Sequence, residues 1–243
     1  MFPLRDHNPS HRTAFVTWAL IAANLGVFAA TYPWDGEFGA AWQRLALYPG
    51  AVTHGQLLGG LVSHMFLHAG VAHLLGNMLF LWIFGDNLEE ALGHFGFALL
   101  YLAAGLAAAF AQIAADPSSL VPMVGASGAI AGVMGGYLLL FPRARVDVLF
   151  VFVVFFKVLP IPAWLVLGVW FALQLWSGAV ADVAGGGVAY WAHAGGFATG
   201  LALTLPAWLR RGGAGFWARS GGHPEHAANR YPTRIPLVPR RRR

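Results

Sequence analysis

The architecture follows from two stretches of sequence, VGASGAIAGVMGG at Val124–Gly136 and YWAHAGGFATG at Tyr190–Gly200. Each carries small residues at every fourth position, namely Gly128, Gly132 and Gly136 in the first and Ala192, Gly196 and Gly200 in the second. This spacing places them in one stripe along a helix and lets two helices approach until their backbones touch. If the stripes face each other, Ser127 and His193 meet.

The composition indicates that these helices lie in a membrane. Of the 243 residues, 58% are hydrophobic and 10% are charged, whereas soluble domains carry about 25% charged residues. Because so little charge cannot cover a water-exposed surface, a soluble globular protein is excluded. The chain has no cysteine, which also excludes disulfide scaffolds, zinc–thiolate sites and thiol nucleophiles.

Six apolar segments are long enough, or nearly so, to cross a bilayer as helices. They are Ala14–Thr31, Val71–Phe84, Phe95–Ala115, Ala126–Phe141, Ala163–Ser177 and Tyr190–Leu209. A further apolar stretch, Val146–Leu159, is short and contains Asp147 and Lys157. We predict that it is an interfacial or re-entrant segment leading into the fifth helix.

With six spans, every Lys and Arg except Arg44 lies on one side of the membrane, and the positive-inside rule assigns that side to the cytoplasm. The predicted fold is therefore an all-α polytopic membrane protein, a six-transmembrane-helix bundle with both termini cytoplasmic. Residues 1–13 form a cytoplasmic N-terminal segment, 14–209 the membrane domain and 210–243 a disordered basic tail. The Arg240–Arg243 run favours contact with anionic lipid over nucleic acid, so membrane lipid is a predicted partner and nucleic acid is not.

Four polar side chains fall within the spans, where each is costly and indicates a function. His73 and Asn77 are one helical turn apart in the second span, Ser127 begins the fourth, and His193 lies early in the sixth. All four are predicted in the outer third of the bilayer. A histidine within hydrogen-bond distance can take the proton of a serine hydroxyl, which activates the oxygen as a nucleophile.

The same group offers donors for an oxyanion: the Ser127 N–H at a helix start and the side chains of His73 and Asn77. No carboxylate is predicted at this depth, so the pattern indicates a Ser127–His193 catalytic dyad without cofactor. Taken singly, these residues are typical of helix–helix packing. His64, His68 and His73 could ligate a metal, but no carboxylate accompanies them, and no metal site is predicted.

The motifs together resemble the rhomboid family of intramembrane serine proteases. The matching pieces are His64–His68 (HMFLH), His73–Asn77 (HLLGN), Gly125–Gly128 (GASG) and Ala192–Gly200 (AHAGGFATG). The resemblance covers about residues 14–209 and implies a bacterial-type member in which Ser127 attacks a peptide bond and His193 acts as base and then acid. His73, Asn77 and the Ser127 N–H would bind the oxyanion.

Three features depart from the family pattern or extend it. Gly59-Gly60 replaces the Trp-Arg that many members carry in the first outer loop. Ala131 replaces a Tyr that stacks on the histidine in some members, so another residue must orient His193. Gly178–Val188 is a predicted mobile cap over the site.

The sequence therefore predicts a serine endopeptidase in a bacterial inner membrane that cleaves transmembrane helices of membrane proteins near the outer face. One alternative is a catalytically inactive rhomboid-like protein that binds membrane clients, although such relatives usually lack the Ser or the His. Another is a small transporter, but inverted halves and midplane charges, which are typical of transporters, are not found. The oligomeric state and the physiological substrate are not predicted.

Overall fold

The computed structural model describes residues 2–34, 36, 38–152, 155–180 and 188–224. These residues are predominantly helical. In chain order the elements are β1 (Phe2–Asp6), α1 (Phe15–Thr31), α2 (Ala40–Leu45), α3 (Pro49–Thr53), α4 (Gly60–Ser63), a 3-10 helix (His64–Phe66), α5 (Val71–Ala115), α6 (Ser127–Leu140), β2 (Arg145–Phe152), β3 (Phe155–Pro162), α7 (Ala163–Val180), α8 (Tyr190–Arg210) and α9 (Ala214–Ser220).

Helix α5 contains the second and third predicted spans, and the chain reverses inside it. Gly93 has φ 75° and ψ 162°, which breaks the helix. Just before the break, Leu88 packs on Gly136 near the end of α6. Well after it, Ala108 packs on Gly128 near the start of α6. The second half of α5 therefore runs antiparallel to α6, and the break between the second and third predicted spans is confined to Gly93.

Helices α6 and α8 run parallel and touch backbone to backbone along the two predicted stripes. A methyl group added at Gly196 would overlap the Gly128 carbonyl oxygen, and one added at Gly200 would overlap that of Gly132. Only glycine therefore permits this approach. The stripes therefore face each other as the sequence predicts.

The helices coincide with the predicted apolar segments. Val71–Ala115 and Ala163–Val180 are long and apolar enough to cross a membrane, and α1 and α6 are shorter apolar helices of 17 and 14 residues. Large apolar side chains remain exposed around the bundle: Phe95 is 83% and Trp176 69% exposed. The number of spans and the side on which each terminus lies remain predictions.

The chain is predominantly helical, but it is not all-α: a three-stranded antiparallel sheet with the order β1-β2-β3 packs against α5 and α7. Val146–Leu159, predicted to be interfacial or re-entrant, forms most of β2 and β3, in which Val148 pairs with Leu159. β-branched and aromatic residues favour this conformation. Residues 1–13, predicted only as a cytoplasmic segment, supply β1, in which Pro3 pairs with Val148.

Ion pairs and hydrogen bonds attach β1 to the rest of the molecule. The Arg5 Nε and His7 Nε2 atoms each donate to Asp147 of β2 at 2.8 Å. Burial alone would raise the pKa of Asp147, but its hydrogen bonds to His7 and Arg5 outweigh burial and hold that pKa below its usual value. The Tyr137 hydroxyl of α6 donates to Asp6 at 2.6 Å. The N-terminal strand is thus linked to both the sheet and the helix that begins with Ser127.

Glu89, near the end of the first half of α5, caps the N-terminus of α1. This carboxylate is 1% exposed and accepts hydrogen bonds from the Val16 N–H, the Thr17 N–H and the Thr17 hydroxyl. These are first-turn groups of α1, which has no side-chain cap of its own. A buried carboxylate at a helix N-terminus satisfies free N–H groups and interacts favourably with the helix dipole.

The sequence predicts that the whole segment 210–243 is disordered. Ala214–Ser220 departs from this prediction, because it forms α9. Phe216 is 2% exposed and Trp217 Nε1 donates to the Leu139 carbonyl oxygen at 3.0 Å, so apolar burial orders this part. Residues 225–243, including the Arg240–Arg243 run, lie outside the described residues. So do residues 181–187, which make up most of the predicted cap.

Replacing Gly200 with Ala tests the backbone contact of α6 and α8. The added methyl group would meet the Gly132 carbonyl oxygen, and overpacking of this kind costs about 1–3 kcal/mol. We expect a lower Tm of the detergent-purified protein. The matched control is Gly168→Ala in α7, whose added methyl group meets nothing within 4 Å and which should leave Tm unchanged or raise it. Equal Tm values for the two variants would contradict the close packing.

Because Asp6 is buried, we expect the thermal stability of the protein to depend on pH. Burial, opposed in part by the Tyr137 hydrogen bond and reinforced by Asp86, raises the pKa of Asp6 from 3.8 to about 7. The folded state holds the Asp6 proton more tightly than the unfolded state does. The contribution of Asp6 to the free energy of unfolding is therefore complete below about pH 4 and is lost as pH rises through about 7. We expect Tm to fall between pH 5 and pH 8, and to fall less in Asp6→Asn. An equal fall in both proteins would refute the assignment.

Candidate active site

A cavity of about 760 Å³ lies between the end of α5 and the beginnings of α6 and α8. Its lining includes His64, His73, Ser127, His193 and Trp191. The second half of α5 contributes Gln112. The cavity therefore contains three of the four polar residues that the sequence singles out, and it lies at the end of the bundle opposite the sheet.

Ser127 is the first residue of α6, and a glycine turn presents it to the cavity. Gly125 has φ +123°, which L side chains rarely adopt, and its N–H donates to the His64 carbonyl oxygen at 2.9 Å. As the first helical residue, Ser127 has a backbone N–H with no acceptor within the helix. The serine hydroxyl and a free N–H donor therefore sit together at the positive end of a helix dipole.

His193 lies in the first turn of α8 and contacts three side chains. Its Nε2 is 2.8 Å from the Ser127 Oγ, and its Nδ1 is 2.8 Å from the Gln174 Oε1 of α7. The imidazole centroid is 5.6 Å from the Trp170 ring, with an angle of 35° between the planes. The pairing of His193 with Ser127 is predicted from the sequence, whereas the contacts with Gln174 and Trp170 are not. Gln174 could have been found by the criterion used for the other residues, because its amide is a polar group within an apolar predicted span.

His73 lies beside the serine turn, whereas no described contact joins Asn77 to it. A methyl group added at Gly125 would lie 2.7 Å from the His73 Nε2 and 3.6 Å from the Ser127 Oγ, which places the imidazole beside the serine turn. Asn77 is 7% exposed, its Nδ2 has no hydrogen-bond partner among the described residues, and it is not among the cavity's described lining residues. His73 is thus at the site, and Asn77 is a buried free donor one turn further along α5.

His64 begins the 3-10 helix, and His68 lies between that helix and α5, next to His73. The ring of His64 is hydrogen-bonded to the Gly60 carbonyl oxygen at 2.8 Å, and that of His68 lies 5.1 Å from the His73 ring. Burial lowers the pKa of both His64 and His68 to about 4, so both are neutral at physiological pH. Among the described residues, no group of three His, Cys, Asp or Glu side chains is arranged to hold a metal ion.

A family model for the rhomboid domain matches residues 55–210, which include all of the candidate residues of the site. The chain belongs to the rhomboid family. Members of this family are membrane proteins and typically intramembrane serine proteases, although some are inactive.

Curated relatives come from several kinds of organism. The mitochondrial Rhomboid protein 1 of Saccharomyces cerevisiae is 34% identical over 148 residues, which are 58% of this chain and 39% of that protein. The rhomboid protease GluP of Bacillus subtilis is 42% identical over 78 residues, 32% of this chain and 15% of that protein. Rhomboid-related protein 2 of Mus musculus is 42% identical over 76 residues, 31% of this chain and 24% of that protein. The chain thus spans well under half of each relative's length.

Gly125→Ala tests the geometry of the serine turn. The methyl group is strained at φ +123° and collides with the His73 imidazole, so it should displace a donor beside Ser127. We expect the rate at which a fluorophosphonate labels Ser127 to fall at least tenfold, towards the roughly 100- to 1,000-fold typical of a lost oxyanion donor. The matched control is Gly76→Ala, next to Asn77, where the methyl group meets nothing within 4 Å. Equal labelling rates in the two variants would contradict this role of the turn.

Proposed function

We propose that this rhomboid is a bacterial-type intramembrane serine endopeptidase that cleaves transmembrane helices of membrane proteins near the outer face of the inner membrane. The observation that carries the proposal is the 2.8 Å distance between the Ser127 Oγ and the His193 Nε2 at the wall of a large cavity. Six spans with both termini in the cytoplasm would place this cavity towards the outside.

In this mechanism the His193 Nε2 takes the hydroxyl proton while the Ser127 oxygen attacks the scissile carbonyl carbon. The protonated imidazole then gives its proton to the leaving amine, which leaves an acyl-enzyme on Ser127. Water, activated by the same nitrogen, attacks the acyl-enzyme, releases the new carboxylate and returns the proton to the serine.

The negative charge on the carbonyl oxygen requires donors in both attacks. The Ser127 N–H and the His73 ring beside the serine turn are two such donors, and Asn77 supplies an amide donor that has no other described partner. The helix dipole of α6 adds favourable potential at the same point. We assign the oxyanion site to these three groups, with the largest share for the Ser127 N–H because it belongs to the attacking residue.

The position of the cavity at the end of an apolar helix bundle favours a membrane protein as substrate over a soluble one. Water is needed at the serine, and the cavity supplies room for it, while exposed apolar side chains such as Leu120 (78% exposed) and Trp176 (69% exposed) suit a lipid environment. A substrate helix must open locally at the cut, since its peptide bonds are otherwise engaged in helical hydrogen bonds. Substrates with helix-weakening residues near the outer membrane boundary are therefore favoured.

Substitution of the proposed dyad tests the function. Ser127→Ala and His193→Ala should each abolish cleavage of a membrane-embedded reporter by the purified protein, and Asn77→Ala should reduce it less. The matched control is Ser220→Ala in α9, outside the cavity. Thermal unfolding of each variant checks that the fold is retained.

A fluorophosphonate probe separates this proposal from a protein that only binds membrane clients. The wild-type chain should be labelled at Ser127, and His193→Ala should not be. Unchanged cleavage in Ser127→Ala would refute the mechanism. Absence of both labelling and cleavage in the wild-type chain would favour client binding without catalysis.

A further inference from the structure

We propose that Gln174 of α7 is a positioning residue for the imidazole, so that the dyad works as a Ser127–His193–Gln174 triad with a neutral third member. The inference rests on the proposed function and assigns a role to the partner of the His193 Nδ1, the ring nitrogen that does not face the serine. The Gln174 Oε1 lies 2.8 Å from the His193 Nδ1, on the side of the ring away from the serine. No described carboxylate is hydrogen-bonded to His193.

The hydrogen bonds determine which tautomer the ring adopts. A neutral imidazole has one N–H donor and one acceptor nitrogen. Because the amide oxygen of Gln174 only accepts, it requires the proton on the His193 Nδ1. The Nε2 then carries a free lone pair directed at the Ser127 hydroxyl, 2.8 Å away. This is the tautomer a general base needs, and the opposite tautomer would present an N–H to the serine oxygen.

A second contact from α7 holds the same ring. Trp170 precedes Gln174 by one helical turn, so both side chains lie on one face of α7, and its ring centroid is 5.6 Å from that of His193. Ala131 stands where some rhomboids carry a stacking Tyr on the serine helix. In this chain, the ring contact and the hydrogen bond that orient His193 both come from α7.

An amide performs one of the two roles that an aspartate has in a Ser-His-Asp triad. It fixes the tautomer and the ring orientation, but it has no charge with which to stabilise the imidazolium. A carboxylate at position 174 would add that charge. It would also favour the protonated ring, and a protonated His193 cannot act as base.

These properties give opposite expectations for two variants. Gln174→Met keeps the side-chain length in an apolar helix and removes the acceptor. We expect kcat for a reporter to fall about 10- to 1,000-fold, with KM nearly unchanged, since Gln174 is not among the described residues that line the cavity. Gln174→Glu keeps the acceptor, so it should retain far more activity than Gln174→Met, with the acidic limb of its pH–rate profile moved to higher pH.

The control is Ser177→Ala, which removes a polar group from the same helix and should leave kcat and the pH profile as in the wild-type chain. Tm of each variant separates loss of stability from loss of orientation. A wild-type kcat in Gln174→Met, or an unmoved pH profile in Gln174→Glu, would overturn the proposal and leave Gln174 as a helix-packing residue.

A spectroscopic measurement distinguishes failure of this inference from failure of the proposed protease function. This measurement does not depend on catalysis and can be made in the Ser127→Ala variant. There, 15N NMR of the His193 ring should show the Nδ1–H tautomer. Adding Gln174→Met should convert it to a mixture. If the tautomer is as expected but the wild-type chain cleaves nothing, the protease assignment fails and the positioning role stands. If the tautomer does not depend on Gln174, the positioning role fails whatever the activity.

Discussion

The backbone contact between α6 and α8 is the constraint on which the site depends. Glycine at Gly128 and Gly196 lets the helices approach so closely that a single methyl group would overlap a carbonyl oxygen. The reach of a serine and a histidine side chain is only a few ångströms each. At an ordinary helix separation of about 8–10 Å, the same two residues would not hold a 2.8 Å hydrogen bond so readily. The small-residue stripes and the reactive pair are therefore one feature of the sequence.

Much of this arrangement could be predicted because it depends on local periodicity. A four-residue spacing of glycine defines a helix face, and a polar residue beside that face shares its neighbours. The positions of Ser127 and His193 followed from that rule. Gln174 did not, because its contact depends on the rotation of α7 about its axis. In this 18-residue helix, apolar residues surround the axis and only Gln174 and Ser177 are polar, so no stripe indicates that rotation.

The sheet was missed for a different reason. Strand pairing is non-local, and Phe2–Asp6 is short, contains Pro3 and has its partner far along the chain. The apolar run at Val146–Leu159 has no polar alternation that would separate a strand from a membrane-associated segment. Glu89 shows the same limit at another place: its acidic character was visible, but its role as the cap of α1 required the contact with Thr17.

The placement of β1 also has a consequence for biosynthesis. Arg5 and Asp147 are 142 residues apart, and ribosomes add about 5–20 residues per second, so β1 waits roughly 7 to 28 seconds for its neighbour to be translated. Until then its peptide groups have no strand to pair with, although α1 and most of the later helices have already emerged. Closure of the sheet is therefore a late event in assembly, and chains that stop short of β2 would display an unpaired strand edge.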